Sequence, residues 1–494
     1  MLIDHIIEQT NNYILNFPKE TRKRYGQFFT SKETAIFMCS LFTLDENKQQ
    51  LKVLDPGAGS GILSCAFVER IVRETRVQSI ELICYETDEA ILQLLYDNLQ
   101  FIKDNLDVNF SFEIINENYI LSQADSFNNG IFSEGTNQYD FIIANPPYKK
   151  VNKQAAEAIA LQKVCHGAPN LYFLFASMSL FNLHPDGEMV YIMPRSWTSG
   201  AYFQKFREFL FDNMVIEHVH LFESRDKVFD KESVLQETLI VKFKKTTVRP
   251  EKIIISSTQS NQDFGDLHTV PVPYDLVVSG TNNYVFLATD SKKIGILRRF
   301  AKWKNTLLDL GLRMKTGLIV DFRTRDALRD SYEEGAVPLF YANHIKDGYV
   351  EFPITKSGEY VLTERKALLQ KNQNYLFVKR FTSKEEKRRL QCGMYFAKDF
   401  PQYDLISTQN KINFIDGVTA LSECIIRGLY VLFNSTMYDT YYRILNGSTQ
   451  VNSTEINCMP VPDIEVIKVL GQKLQETSDI SSENCDRLME EYCG

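Results

Sequence analysis

Short apolar runs alternate with helix-periodic stretches along the first half of the chain, from Leu51 to Phe243. The apolar runs predict strands at Lys52–Leu54, Ile80–Tyr85, Phe112–Ile115, Phe141–Ile143, Met189–Ile192, Val215–Val219 and Thr238–Val241. The stretches between them predict helices at Ile62–Arg73, Ala90–Lys103, Leu171–Leu183 and Phe203–Phe211. This alternation is typical of an α/β fold in which a mainly parallel sheet carries helices on both faces.

The pattern changes near Lys244–Pro250, and the chain is then mixed and turn-rich until about Pro462. Helical spacing returns from Ile464 to about Ser478, which predicts a terminal helix. We therefore expect a domain at 1–245, a second α+β domain at 246–462 and a helical segment at 463–494. The length of 494 residues agrees with several domains.

The formal net charge of −8 argues against a protein that coats nucleic acid nonspecifically. A DNA enzyme with a local basic cleft remains compatible with it, because the distribution of charge matters more than the sum. Basic residues cluster in the second domain, at Lys379–Lys384, Lys387–Arg389, Arg313, Lys315, Arg323 and Arg325.

Nine scattered cysteines without a CxxC pair, and no signal peptide at the start, predict a reduced, cytoplasmic protein. His218 and His220 could share one face of a strand, but no further metal ligands lie at a suitable spacing, so we expect no metal site. No apolar segment is long enough to span a bilayer, and no membrane association is expected.

A glycine-rich turn, Asp55-Pro56-Gly57-Ala58-Gly59-Ser60-Gly61, follows the first predicted strand and opens a helix. Glycines let the backbone approach a ligand closely, although many nucleotide sites share such turns. Glu86 ends the next strand, close to the offset of about 20 residues expected for an acid that binds ribose hydroxyls. Asp88 fits a helix N-cap better, which leaves Glu86 available for the ribose.

Asn145-Pro146-Pro147-Tyr148 ends the buried run at Tyr139–Ala144, where open α/β sheets place their chemistry. It offers an amide, a carbonyl with no following amide hydrogen, a rigid turn and an aromatic face. That set suits a planar substrate with an exocyclic amine. The cofactor could be a dinucleotide or S-adenosylmethionine. The glycine spacing departs from the G-x-G-x-x-G expected for a pyrophosphate. The tetrapeptide favours methyl transfer to an amine.

Together, Asp55–Gly61, Glu86 and Asn145–Tyr148 resemble the motifs of S-adenosylmethionine-dependent adenine-N6 DNA methyltransferases. Upstream, Tyr25–Ser31 resembles the first motif of the gamma, or TaqI-like, class of restriction–modification systems. Asn446–Asn452 and Met459–Pro462 resemble the end of its recognition domains. The resemblance implies a Rossmann-like methyltransferase sheet followed by a target-recognition domain. It also implies two partners, double-stranded DNA and a separate cognate endonuclease.

The resemblance also implies roles for individual residues. Cofactor contacts fall on Thr30, Asp55, Gly57, Ala58, Gly59, Glu86, Asn118 and Tyr119. Asn118 stands where the family has an acid, and Asp125 is the competing candidate for the cofactor adenine. Asn145 and Pro146 would accept the hydrogens of the target amine, and Tyr148 would stack on a base flipped out of the duplex. Phe229 is the candidate second wall, with a core phenylalanine as the alternative.

Two alternatives remain from the sequence. The same tetrapeptide occurs in enzymes that methylate RNA bases or protein glutamine, although the large second domain argues for DNA. A DNA-binding modification subunit that needs a partner is the other. The Asp463–Glu465 acids read as a helix start rather than a nuclease site, and about 25 residues before the first cofactor motif leave no room for a nuclease domain, so we expect modification without cleavage.

Overall fold

A computed structural model gives the structure of residues 1–16, 29–129, 138–223, 237–383 and 385–493. The chain divides into two compact units, Met1–Asp290 and Ser291–Gly494, called unit 1 and unit 2 below. No helix among these residues combines the length and the apolar content that crossing a bilayer requires.

Unit 1 is built on a nine-stranded sheet with the order β3-β2-β1-β4-β5-β7-β6-β8-β9. Its strands are β1 Gln50–Pro56, β2 Ser79–Tyr85, β3 Asn109–Ile115, β4 Tyr139–Ala144, β5 Leu183–Pro194, β6 Val215–Phe222, β7 Thr238–Lys244, β8 Lys252–Thr258 and β9 His268–Pro273. A two-stranded ribbon follows, made of β10 Val278–Ser279 and β11 Tyr284–Val285.

The first five strands are parallel, as the alternating pattern predicts, and β7 runs antiparallel to both β5 and β6. Each of the seven predicted strands is present, and the observed strands are longer by one to several residues. The apolar runs are continuous because strands in the centre of such a sheet are buried on both faces. β7 illustrates this, since six of its seven residues are buried.

Helices cover this sheet: α1 Leu2–Asn16, α2 Lys32–Ser40, α3 Ile62–Glu74, α4 Glu89–Asp104, α5 Ala124–Asn129, α6 Ala156–Ala160, α7 Leu171–Asn182, α8 Gln204–Asn213 and α9 Tyr274–Val277. α4 shows why they form. Asp88 caps it by accepting a hydrogen bond from the backbone amide of Ala90, and Ile91, Leu95, Leu99 and Ile102 recur on its buried face. Truncating such a buried leucine to alanine costs about 2–5 kcal/mol.

Unit 2 contains two larger sheets, of six strands in the order β13-β23-β20-β21-β17-β16 and five strands in the order β14-β18-β15-β22-β19. The strands are β12 Asn305–Thr306, β13 Leu312–Thr316, β14 Leu328–Arg329, β15 Val337–Phe340, β16 Ile345–Lys346, β17 Tyr349–Val350, β18 Tyr360–Val361, β19 Gln370–Lys371, β20 Tyr375–Lys379, β21 Cys392–Tyr395, β22 Leu405–Thr408, β23 Ile412–Gly417 and β24 Pro460–Val461. β12 pairs with β24.

The helices of unit 2 are α10 Ser291–Phe300, α11 Glu423–Asn434, α12 Thr436–Leu445, α13 Ser453–Cys458, α14 Ile464–Thr477 and α15 Ser482–Cys493. α14 agrees with the terminal helix predicted from Ile464, and Asp463 occupies its N-cap position, as expected for a helix start.

The sheet of unit 1 continues past residue 245, because β8 and β9 add to its edge. The compact unit accordingly ends at Asp290, whereas the sequence placed a domain boundary at 245. The change of pattern at Lys244–Pro250 coincides with the turn between β7 and β8. The functional assignment of the three predicted domains stays a prediction.

Candidate active site

β1 and β4 are neighbours in the sheet, although two strands separate them in the sequence. From β1 the chain continues outward to β2 and β3, and from β4 it continues in the opposite direction to β5. The loops that leave the carboxyl ends of β1 and β4 therefore diverge and open a crevice between them. Ligands of open α/β sheets bind at this kind of switch point.

The glycine turn after β1 forms one wall of the crevice. Gly57, Gly59 and Gly61 all have positive φ angles, of 80°, 57° and 83°, where glycine is the residue without a steric penalty. The backbone amides of Gly57 and Ala58 donate to the carbonyl oxygen of Tyr85, at 2.8 and 3.0 Å. These bonds tie the turn to the end of β2.

Glu86 lies directly after β2 and is held by backbone donors. One carboxylate oxygen accepts from the amides of Thr87 and Asp88 at 2.8 and 2.9 Å, and the other accepts from the amide of Gly59 at 2.9 Å. Burial raises the pKa of this carboxyl, and the three amide bonds oppose that rise. The side chain thus has one fixed orientation at the edge of the glycine turn.

Asp55, the last but one residue of β1, is fully buried. Its Oδ2 accepts a hydrogen bond from the Ser64 hydroxyl at 2.6 Å, while Oδ1 has no hydrogen-bond partner among the described residues. Burial raises the pKa of Asp55 to about 7, with a smaller contribution from the nearby charge of Glu86. An incompletely bonded buried carboxyl beside a ligand turn is costly, and such groups concentrate at functional sites.

The tetrapeptide after β4 forms the opposite wall. The Asn145 side-chain amide donates to the hydroxyl of Thr30 at 3.1 Å, which joins it to the segment before α2. Pro146 is buried, and the Tyr148 hydroxyl donates to the carbonyl oxygen of Ile192 at 3.2 Å. The Tyr148 ring meets the edge of Tyr172 with centroids 6.3 Å apart. Burial raises the pKa of Tyr148 well above its ordinary value, so the phenol stays neutral.

One cavity joins these two walls, with an empty volume of about 880 Å³ that includes its open mouth. Its lining comprises Phe29, Thr30, Gly57, Ala58, Gly59, Ser60, Ile62, Leu63, Tyr85, Glu86, Thr87, Asp88, Glu117, Tyr119, Asn145, Pro147 and Phe175. Three of these residues are acids, and none of the described lining residues is lysine, arginine or histidine. Such a lining disfavours the pyrophosphate of a dinucleotide and favours a ligand with a positive charge.

Comparison with known proteins identifies the family of this chain. The family model of the Eco57I restriction-modification methylase matches residues 67–229. The chain is 33% identical over 482 residues to the type II methyltransferase M.BsuBI of Bacillus subtilis, covering 96% of this chain and 94% of that protein. It is 30% identical over 484 residues to M.PstI of Providencia stuartii, covering 96% and 93%. The chain belongs to the restriction–modification methylase family.

The fold agrees with this membership. The solved structure of the type IIL restriction-modification enzyme MmeI in complex with DNA resembles the methylase with a TM-score of 0.52 and 12% sequence identity. The similarity covers 99% of this chain and 73% of that one. The predicted Rossmann-like α/β class is thereby confirmed, and the family makes the chain a DNA methyltransferase of the restriction–modification type.

S-adenosylmethionine is the methyl donor of the family, and the cavity of the methylase fits it. The Glu86 carboxylate is fixed at the edge of the glycine turn, where the predicted contact with the ribose hydroxyls would fall, and the backbone from Gly57 to Gly59 is open to a close approach. The acidic lining suits a sulfonium cation. Cofactor contacts by individual residues stay predictions, and the structure brings Thr30, Gly57, Ala58, Gly59, Glu86 and Tyr119 together around this cavity.

Asn118 of the methylase has other hydrogen-bond partners. Its amide donates to Glu157 at 2.9 Å, and its oxygen accepts from the backbone amides of Ile120 and Leu121. Asp125, the competing candidate, lies in the first turn of α5. Neither is among the described residues that line the cavity, and the contact of either with the cofactor adenine stays a prediction.

Two lining residues have no place in the sequence prediction. Glu117 precedes Asn118 in the loop after β3, and its position at a strand end was the available signal. Phe175 lies on α7, with its ring 5.5 Å from that of Tyr119, and no local pattern distinguishes it from a core phenylalanine. Both residues belong to the lining of the cavity.

Part of the prediction falls on residues that lie outside the described ranges. Phe229, the candidate second wall of the base pocket, is one of them, and so are Tyr25 to Phe28 of the upstream motif. Both stay predictions.

The basic clusters of unit 2 differ in exposure. Arg313, Lys315, Arg323 and Arg325 are exposed, as a DNA-contacting surface requires. Arg389, in contrast, is fully buried, and its guanidinium donates to the Thr382 hydroxyl and the Ser448 carbonyl oxygen at 3.1 and 2.8 Å. The basic run at Lys387–Arg389 is therefore not one exposed surface, because the buried guanidinium of Arg389 holds a loop and cannot reach a phosphate.

His218 and His220 do lie on one face of β6, as their spacing predicts. Both rings hydrogen-bond to the Ser256 hydroxyl on β8, at 2.7 and 2.9 Å. Burial lowers the pKa of His218 to about 4 and that of His220 to about 3, so both rings are neutral. Among the described residues of the methylase, no cluster of potential ligands could hold a metal ion.

Proposed function

We propose that this methylase transfers a methyl group from S-adenosylmethionine to the N6 amine of an adenine flipped out of duplex DNA. One observation carries the proposal: Asn145 and Pro147 line the same cavity as Gly57 to Ser60 and Glu86. A methyl donor held by the glycine turn and an amine held by the tetrapeptide would therefore share one space. The whole-chain similarity to type II methyltransferases supports DNA as the substrate over RNA or protein glutamine.

The amine of adenine is a weak nucleophile because its lone pair is delocalised into the ring. The Asn145 side-chain oxygen and the Pro146 carbonyl oxygen each accept one of its hydrogens. The peptide group between Pro146 and Pro147 has this carbonyl as an acceptor and carries no amide hydrogen. Both bonds strengthen as positive charge develops on the nitrogen, so they stabilise the transition state more than the ground state.

S-adenosylmethionine supplies an electrophilic methyl group on its sulfonium. The chain's own contribution is orientation: Thr30 bonds to the Asn145 amide and thereby fixes the acceptor oxygen relative to the cavity. The nitrogen loses its proton after the transfer, so no strong base is required.

The target base must leave the duplex to reach this edge of the sheet, at a cost of a few kcal/mol. Tyr148 offsets part of that cost by stacking on the base. Its ring is held by the Ile192 bond and by the edge of Tyr172, so little side-chain entropy is lost on stacking. Phe229 is the proposed opposite wall.

The test is incubation of the full chain with methyl-labelled S-adenosylmethionine and mixed-sequence duplexes, followed by enzymatic digestion and mass spectrometry of the nucleosides. We expect label in N6-methyladenine within one sequence context. Label in N4-methylcytosine, or on RNA or protein alone, would overturn the proposal.

We further propose that a separate restriction endonuclease reads the same site. DNA from cells that express the methylase should then resist cleavage by an endonuclease of that specificity. Cleavage of fully methylated DNA would contradict the pairing while leaving the methyl transfer intact.

A further inference from the structure

A basic segment follows the tetrapeptide directly. Residues 149–170 contain four lysines and one acid, Glu157, in a chain whose net charge is −8. Lys149, Lys150 and Lys153 are exposed. Glu157 accepts a hydrogen bond from the Asn118 amide at 2.9 Å, so its carboxylate has a partner away from these lysines. The local excess of positive charge starts one residue beyond Tyr148.

This segment has a fixed position. The amide of Val151 donates to the carbonyl oxygen of Pro169, and the amide of Leu171 donates to that of Lys149, both at 2.8 Å. Lys150 and Asn170 form an antiparallel bridge between the two stretches. The exposed lysines are thus carried by paired backbone rather than by a free loop.

Tyr202 lies beside this segment and is 63% exposed, which is unusual for a large aromatic side chain. The Lys150 ammonium is 5.8 Å from the centroid of its ring. The ring also lies close to Gly167, where an added Cβ would come within 3.3 Å of the tyrosine and where φ is +84°. Gly167 therefore permits the close approach that places Tyr202.

Packed rings connect Phe203, the residue after Tyr202, to the tetrapeptide. Phe203 stacks on Tyr172 with centroids 5.9 Å apart, and the rings of Tyr172 and Tyr148 are nearly perpendicular, with centroids 6.3 Å apart. The backbone beneath is held by buried Arg207, which donates to the carbonyl oxygens of Trp197 and Gly200 at 2.9 Å. Tyr202 is consequently an exposed ring on a rigid support.

We propose that Lys150 and Tyr202 contact the DNA beside the extruded nucleotide, Lys150 at a phosphate and Tyr202 by stacking on the neighbouring base. This rests on the proposed function, which places the extruded adenine against Tyr148. Flipping one nucleotide exposes the face of the next base, and an aromatic ring can cover that face. An adjacent ammonium neutralises the backbone charge with release of a counterion. An anionic protein needs such a local basic surface to hold a polyanion at its active site.

Lys150→Gln removes the phosphate contact and is the first test. We expect the slope of log affinity against log salt for the duplex to become shallower by about one unit, equally for target and non-target sequences. Binding of S-adenosylmethionine should not change. The matched control is Lys103→Gln, because Lys103 is also exposed and lies 6.0 Å from an aromatic ring, that of Phe112, at the far end of α4.

Tyr202→Ala removes the stacking surface and is the second test. We expect roughly 5- to 100-fold weaker binding of a duplex with 2-aminopurine at the target position, together with less flipping fluorescence. Tyr202→Phe should keep most of the affinity, since the ring remains. Tyr96→Ala is the control, because Tyr96 is a 49% exposed tyrosine on α4.

The outcomes separate the two proposals. If the unaltered protein methylates adenine but Lys150→Gln keeps the salt slope of the Lys103→Gln control, the phosphate contact is wrong. If Tyr202→Ala binds and flips as the Tyr96→Ala control does, the stacking role is wrong. If the unaltered protein methylates no adenine in DNA, the proposed function itself fails, whatever the variants do. Unchanged melting temperatures of the variants establish that each one is folded.

Discussion

Two polar clusters, one in each unit, contain charged side chains that are buried or partly buried. In unit 1, Asp55 and Glu86 lie at the ends of β1 and β2. In unit 2, Arg389 precedes β21, Asp439 lies on α12 and Asn446 follows it, and all three side chains are buried. Burial of charge is costly in both, so each cluster must be explained by its partners.

The charged side chains of the two clusters have different kinds of hydrogen-bond partner. Glu86 is held by backbone amides and lines a cavity. In unit 2, the Asp439 carboxylate accepts from the amides of Arg389 and Leu390 and from the Arg443 guanidinium, while Arg389 holds Thr382 and Ser448. That cluster bonds side chains to loops and so stabilises the fold. Charge alone therefore does not indicate function; what matters is whether the bonded group also faces an open space.

The largest effect is expected for Asn145→Ala, since Asn145 lines the open cavity. We expect methyl transfer to fall by about 100- to 1000-fold, because an acceptor that acts on the transition state is lost. The affinity for S-adenosylmethionine and the unfolding free energy should change little. Single-turnover kinetics and calorimetry measure these quantities. Asn213→Ala, at an exposed amide that bonds to its own helix, is the control. A comparable loss of cofactor affinity would place Asn145 in the cofactor site instead.

Arg389→Met should give the opposite result in unit 2. The lost hydrogen bonds of a buried cation should lower the free energy of unfolding by roughly 2–4 kcal/mol, with cofactor affinity unchanged. Urea denaturation followed by circular dichroism measures the loss. Lys387→Gln, at an exposed cation of the basic run Lys387–Arg389, should stay within about 0.5 kcal/mol of the unaltered protein. Equal stability of Arg389→Met and Lys387→Gln would contradict a stabilising role of the buried Arg389.

Glu86→Gln tests the proposed contact between Glu86 and the ribose of the cofactor. Replacing a carboxylate acceptor by a neutral amide should weaken S-adenosylmethionine binding by about 10- to 100-fold, as expected for a hydrogen bond to a charged group. Titration calorimetry provides the dissociation constant. Asp439→Asn in unit 2 should leave that constant unchanged and should lower the melting temperature. An unaltered constant for Glu86→Gln would exclude the ribose contact.

For Asp55 the expected effect lies in the pH dependence of stability. Its pKa is about 7 in the fold against an ordinary 3.8, so between these values the folded protein binds a proton that the unfolded chain does not. The free energy of unfolding should therefore fall as the pH rises from 3.8 to about 7. Asp55→Asn should remove this component from denaturation curves of the cofactor-free protein. A slope that persists in Asp55→Asn would assign it to another group.

Prediction from sequence succeeded where short-range pattern decides the outcome. The strand expected at Ile80–Tyr85 is found at Ser79–Tyr85, and the helix expected at Ile62–Arg73 ends one residue later, at Glu74. Prediction from sequence was less complete where packing between distant residues decides whether a side chain is buried. The basic run at Lys387–Arg389 reads as one surface, yet Arg389 is buried, because residues near 446 fold over it.

The sequence alone determined the alternation of strands and helices, the glycine turn and the position of Glu86 and Asn145 at strand ends, because hydrophobic period and turn residues act over a few neighbours. The tertiary structure decided that β1 lies next to β4, that Glu117 and Phe175 complete the cavity, and that Tyr202 stands beside Lys150. Strand order and side-chain burial depend on contacts between residues far apart in the chain, which no local pattern specifies.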